Sequence, residues 1–131
     1  MNVAPFPALA TMLAVAVLIW NVMMVGRART KYGIKAPAVT GHPMFENAYR
    51  VQMNTLEQFA CFLPSLWLFA LLLSPYWAGW LGLAWVVGRV LYGLGYAKDP
   101  KKREPGFAIS AAATLALAAG ALYQSARLLI G

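Results

Sequence analysis

Four polar residues interrupt a strongly apolar chain at helical spacing. Glu46, Arg50, Asn54 and Glu57 fall at i, i+4, i+8 and i+11, so on a helix they form one stripe. The uncharged segment after them, Phe59 to Leu73, has only 15 residues. A helix needs about 20 residues to cross a bilayer core of ~30 Å, so the stripe lies at membrane depth or at its edge. Ionisable groups there are costly and usually face a partner or a water-filled cavity. Farther on, Arg89, Tyr92 and Tyr96 stand at i, i+3 and i+7, again on one helical face. Arg103 follows seven residues after Tyr96. Three arginines, two acids, an amide and two phenols thus converge on one membrane edge, a set suited to an anionic ligand.

Composition says what must carry these groups. Of 131 residues, 61% are hydrophobic and 11% charged, against a usual ~45–50% and ~25%. Mean hydropathy is +0.61. The length suits one domain, residues 1–131, and the composition is that of an integral membrane protein. Its apolar stretches are continuous rather than alternating, which argues against a β-barrel. The net charge of +7 is concentrated in two short segments, a pattern that fits orientation in a membrane and not nucleic-acid binding. The single Cys61 excludes an intrachain disulfide and reads as a small apolar filler. His42 has no partner residues for a metal, and no metal site is expected. The N-terminus lacks the basic region of a cleavable signal peptide, so the first apolar segment is expected to stay.

The pattern predicts an all-α bundle of four transmembrane helices over about 6–27, 44–73, 76–97 and 105–129. Pro5 and Pro7 suit the first start, and Gly26-Arg27 its end. Pro64 is expected to kink the second helix. Ser74-Pro75 separates helices two and three, and Pro105 suits the first turn of helix four. In that helix Ala108, Ala112, Ala116 and Gly120 form a small-residue ridge for close packing in lipid. Nine of the eleven Lys and Arg residues lie in or beside the loops joining helices 1–2 and 3–4. The positive-inside rule then puts both loops in the cytoplasm and both termini outside. Arg89 is expected to pair with an acid on another helix, either Glu46 or Glu57.

The motifs carry a resemblance. Phe45-Glu46, then Tyr49-Arg50-Val51-Gln52-Met53-Asn54 and Glu57, resembles the helix-two motif of the membrane-associated proteins in eicosanoid and glutathione metabolism, the MAPEG family. Tyr92-Gly93-Leu94-Gly95-Tyr96-Ala97, with Arg103 downstream, is similar to its helix-three motif. The likeness spans nearly the whole chain and is nearest the bacterial members and the branch holding leukotriene-forming synthases and small microsomal glutathione transferases. It implies a homotrimer in the bacterial inner membrane that binds glutathione, its co-substrate, between subunits. By position, Arg50, Asn54, Glu57, Tyr92, Tyr96 and Arg103 match glutathione contacts, as do Gln52 and, from the first loop, Arg29. One position departs: Gln58 stands where the leukotriene-forming enzymes carry Tyr.

The chemistry agrees with that implication. Glutathione offers two carboxylates, an ammonium and a thiol. Arginine forks suit the carboxylates, Glu57 the ammonium, and Asn54 both donates and accepts. The thiol must ionise, and a cation and a helix N-terminus both favour thiolate. Arg103, just before helix four, supplies both and is the expected activator, with Tyr92 next through a hydrogen bond to sulfur. The expected activity is a glutathione transferase or peroxidase acting on lipophilic electrophiles or lipid hydroperoxides from the bilayer. Two other readings stand beside it. The family includes a non-catalytic lipid-binding member, and Glu57 alone would suit a small proton-coupled transporter.

Overall fold

The computed structural model describes residues 3–131. Four long helices make up nearly all of it: α1 (Pro5–Tyr32), α2 (Pro43–Leu72), α3 (Pro75–Lys98) and α4 (Glu104–Ile130), with a 3-10 turn, Pro100–Arg103, between the last two. All four are long and apolar enough to cross a membrane. A proline stands at the first or second position of each, where its missing N–H costs nothing. Ser74 caps α3 by accepting from the Trp77 N–H at 3.2 Å, and His42 Nδ1 caps α2 from the Met44 N–H at 3.1 Å. Both serve amides that a helix start leaves without partners.

The first helix runs five residues past the expected end at 27. Gly26 reads as a stop, yet Arg27, Arg29 and Lys31 are good helix formers and suit the negative end of the helix dipole. The true stop is Gly33, with φ of 66°, where Ile34 N–H bonds back to Arg29 O at 3.0 Å in a Schellman-type closure. Three of the four basic residues assigned to the first loop, Arg27, Arg29 and Lys31, are therefore helical. Arg29 Nη1 donates to Ala38 O at 2.7 Å, and Tyr32 stacks on His42 at 3.8 Å, which ties down the short link to α2.

α3 is the central helix, more deeply buried than the other three. Trp85 is fully buried and stacks on two α2 rings, Phe62 at 4.1 Å and Phe59 at 5.5 Å. Leu66, Ala14, Ala113 and Leu117 complete this core. α4 meets it with Gly106, Ser110, Ala113, Leu117 and Ala121. The expected ridge faces elsewhere: Ala108, Ala112 and Ala116 are exposed, while Gly120 is half-buried against Phe69. The 3.6-residue period allows either stripe, and Gly106 with Ser110 wins because it permits contact with the α3 backbone. Cys61, expected as a filler, is also exposed. α2 continues helically through Pro64, which is exposed on its outer side.

Candidate functional site

Two close approaches build the site. A β-carbon on Gly106 would lie 2.2 Å from the Tyr92 amide nitrogen, and one on Gly95 would lie 2.3 Å from the Lys102 carbonyl oxygen. The missing side chains let α4 and the 3-10 turn press onto the last three turns of α3. Arg103 consequently lies over Tyr96, with Cζ 5.7 Å from the ring centroid, and its Nη1 donates to Pro100 O at 2.6 Å. α2 forms the facing wall. Between them is a cavity of about 290 Å3 lined by Arg50, Met53, Asn54, Glu57, Tyr92, Tyr96 and Arg103.

Six residues singled out by spacing and motif therefore meet in one place, although 53 positions of sequence separate Arg50 from Arg103. The stripe on α2 is only partly in it. Glu46 instead accepts from the Gly41 N–H at 3.1 Å through Oε2, closing the start of its own helix. Arg29 lies over the Phe45 ring at 4.8 Å, and Gln52 neighbours Met53, its Nε2 4.0 Å from Sδ. Neither lines this chain's cavity. Gln58 points into the bundle, where its Oε1 accepts from Trp85 Nε1 at 3.1 Å.

Arg89 departs furthest from expectation. It has no exposed surface and no acid among its hydrogen-bond partners. Its Nη2 donates to Asn54 Oδ1 at 2.9 Å and to Thr55 Oγ1 at 2.8 Å, and its Nη1 to Ser110 Oγ at 3.3 Å. Asn21 of α1 donates to the same Thr55 hydroxyl at 3.1 Å, so all four helices meet in one polar network. Glu46 is occupied at its helix start and Glu57 faces the cavity, which leaves short neutral side chains at the crossing. Every buried side-chain nitrogen and oxygen among the described residues is hydrogen-bonded, as a dry interior requires. Arg89 Cζ lies 4.0 Å from the Tyr92 ring centroid, and Tyr92 lies 5.6 Å from Tyr96. One wall of the cavity is thus a ladder of cation, ring, ring and cation. Spacing alone puts Arg89 on this face; Thr55, Ser110 and Asn21 carry no such signal, because lone small polar residues on apolar helices are common.

A second cleft, about 280 Å3, opens between α1, α2 and α3. Trp20, Met24, Ala48, Val51 and Leu94 give it apolar walls, and Arg27 and Lys31 stand at its edge.

Chemically, the first cavity can hold a small molecule with several anionic groups and one cationic group. Two exposed arginines and one carboxylate surround it, and arginine forks favour carboxylates. Four helices long and apolar enough to cross a membrane, with an arginine-lined cavity between α2, α3 and the 3-10 turn, define the class: a polytopic membrane protein. The chain belongs to the MAPEG family, whose model matches residues 7–123. It is 50% identical over 117 residues to an uncharacterized protein of Synechocystis, covering 89% of this chain and 85% of that protein. It is 42% identical over 88 residues to microsomal glutathione S-transferase 2 of Homo sapiens, covering 67% of this chain but 60% of that protein. Leukotriene C4 synthase of Cavia porcellus is 34% identical over 116 residues, 88% of this chain and 77% of the synthase.

Proposed function

We propose that this protein is a membrane glutathione transferase that ionises glutathione in the cavity of Arg50, Asn54, Glu57, Tyr92, Tyr96 and Arg103. The carrying observation is that these six side chains, from α2, α3 and the 3-10 turn, line one cavity of about 290 Å3. Arg50 takes a carboxylate, Glu57 the ammonium, and Asn54 a further polar group. Arg103, at the start of α4, favours the thiolate over the thiol, with Tyr92 placed to donate to sulfur. The thiolate attacks a lipophilic electrophile, or reduces a lipid hydroperoxide, that arrives from the bilayer. Relatives named as a microsomal glutathione transferase and a leukotriene C4 synthase support this reading.

The site is completed in a homotrimer. Arg29 and Gln52 match glutathione-contact positions yet lie outside their own chain's cavity, so each reaches the cavity of a neighbouring copy. The protein sits in the bacterial inner membrane with the Arg103 end cytoplasmic, where reduced glutathione is found, and both chain termini outside. The test is a glutathione titration followed by thiolate ultraviolet absorbance. A saturable signal at neutral pH is expected, and its absence overturns the reading. The second cleft favours one rival, a non-catalytic lipid carrier, since apolar walls beside two cations suit an anionic amphiphile. Saturable fatty-acid binding without any glutathione signal would establish that rival.

A further inference from the structure

One buried charge has no part in that mechanism. Arg89 is fully enclosed, and its hydrogen-bond partners Asn54, Thr55 and Ser110 are all neutral. Withdrawing a charge from water without an opposite one nearby is expensive, and an ionisable residue so placed within a membrane bundle points to function. Its location is specific: one tyrosine ring behind the cavity wall, 4.0 Å from the Tyr92 centroid.

We infer that Arg89 is a positioning residue for the thiolate: its uncompensated charge completes the positive balance that the ionised ligand requires, and its bond to Asn54 orients the amide. This rests on the glutathione reading. With its thiol neutral, glutathione carries one net negative charge near neutral pH; as thiolate it carries two. The cavity walls supply Arg50 and Arg103 against Glu57, one net positive charge, and Arg89 supplies a second. The three wall charges are exposed and are screened by water and salt, whereas Arg89 is not. The remaining groups around it are uncharged: Tyr92 and Tyr96 on α3, Asn54 and Thr55 on α2, Ser110 on α4, and Asn21 on α1 through Thr55. Because Asn54 Oδ1 is committed to Arg89, the amide N–H groups are left for the ligand. The thiol proton leaves to water through the open cavity.

The experiment is a pH titration of bound glutathione by thiolate absorbance, on full-length protein whose site is first verified by S-methylglutathione binding. Arg89→Gln is expected to raise the thiol pKa by on the order of one unit, with roughly tenfold less thiolate below it. Ser110→Asp keeps the arginine and neutralises it in place, and shifts the pKa the same way. Ser110→Ala removes a bond and leaves the charge, so the pKa stays put. Should one neutralising variant fail to bind S-methylglutathione, the other carries the test. Wild-type titration in both neutralising variants overturns the role of Arg89 and leaves the glutathione reading standing. A shift in Ser110→Ala as large as in Ser110→Asp also overturns it, since geometry and not charge is then responsible. No thiolate signal in the wild type removes the glutathione reading itself.

Discussion

Two cavities of nearly equal size lie back to back against the same pair of helices. The one beside Arg103 is about 290 Å3 and the one beside Trp20 about 280 Å3. They share a wall: Val51 and Gly93 line the second, and Val51 clusters with Tyr92 and Tyr96, which line the first. On α2 the change from one to the other takes a single residue, Arg50 to Val51, a rotation of roughly 100°. Local composition does not separate an arginine-lined cavity from an apolar cleft; helix register does. The two also differ in how cations are placed. Arg27 and Lys31 stand exposed at an apolar edge, whereas Arg50 and Arg103 are backed by Arg89 in a hydrogen-bonded interior.

The strongest way to break this contrast is to remove the proposed activator. Arg103→Leu is expected to lower turnover at neutral pH roughly ten- to a hundredfold, the weight of one charge-assisted contact. The proposed mechanism fixes the sign with pH: its reactive form is the thiolate, so rate rises as pH passes the bound thiol's pKa. Losing a cation raises that pKa, and the variant's rate recovers at alkaline pH. Steady-state rates across pH check this, and an unmoved profile transfers the role to Tyr92, with Tyr92→Phe as the next variant.

Arg50→Leu tests the other half of the site. Roughly tenfold weaker glutathione binding is expected, seen by calorimetry, with the pH profile moved less than in Arg103→Leu. An equal or larger shift would mean that Arg50 acts on sulfur and not on a carboxylate. Gly106→Ala sharpens the structural side. Its added carbon meets the Tyr92 backbone, and overpacking of this kind costs about 1–3 kcal/mol. A lower unfolding temperature in detergent is expected, together with weaker glutathione binding, because the same contact sets Arg103 over Tyr96. The smallest effect belongs to the other cavity. Arg27→Ser with Lys31→Ser should leave glutathione affinity unchanged within about twofold, since exposed charges at that distance are screened. A larger loss would show that the shared wall couples the two.

Much of this arrangement is legible in the sequence because helices in lipid satisfy their own backbone and advertise themselves by length. The four spans and their punctuating prolines follow from that, and so does the gathering of Arg50, Asn54, Glu57, Tyr92 and Tyr96 on facing stripes. What escapes depends on neighbours. Gly26 and Gly33 look alike as stops, and only Gly33 adopts the left-handed turn. The Ala108 ridge and the Gly106 face have the same period, and the choice between them comes from the α3 backbone. A buried arginine invites an acid as partner, yet Arg89 finds Thr55, Asn54 and Ser110, whose side chains say nothing until the helices cross. Glu46 sits in register with the stripe and is taken instead by the Gly41 amide.

The contact between Gly95 and Lys102 has a consequence for how the chain can diverge. The 3-10 turn is four residues long and is wedged against α3 with no slack. One added or lost residue there turns α4 by roughly 100°, which carries Arg103 off Tyr96 and Ser110 off Arg89 together. Descendants of this sequence can exchange residues in the turn but cannot change its length without displacing Arg103 and breaking the bond between Ser110 and Arg89 at once. A tag or reporter inserted there is expected to dismantle the cavity even though the residues flanking the insertion are exposed and charged.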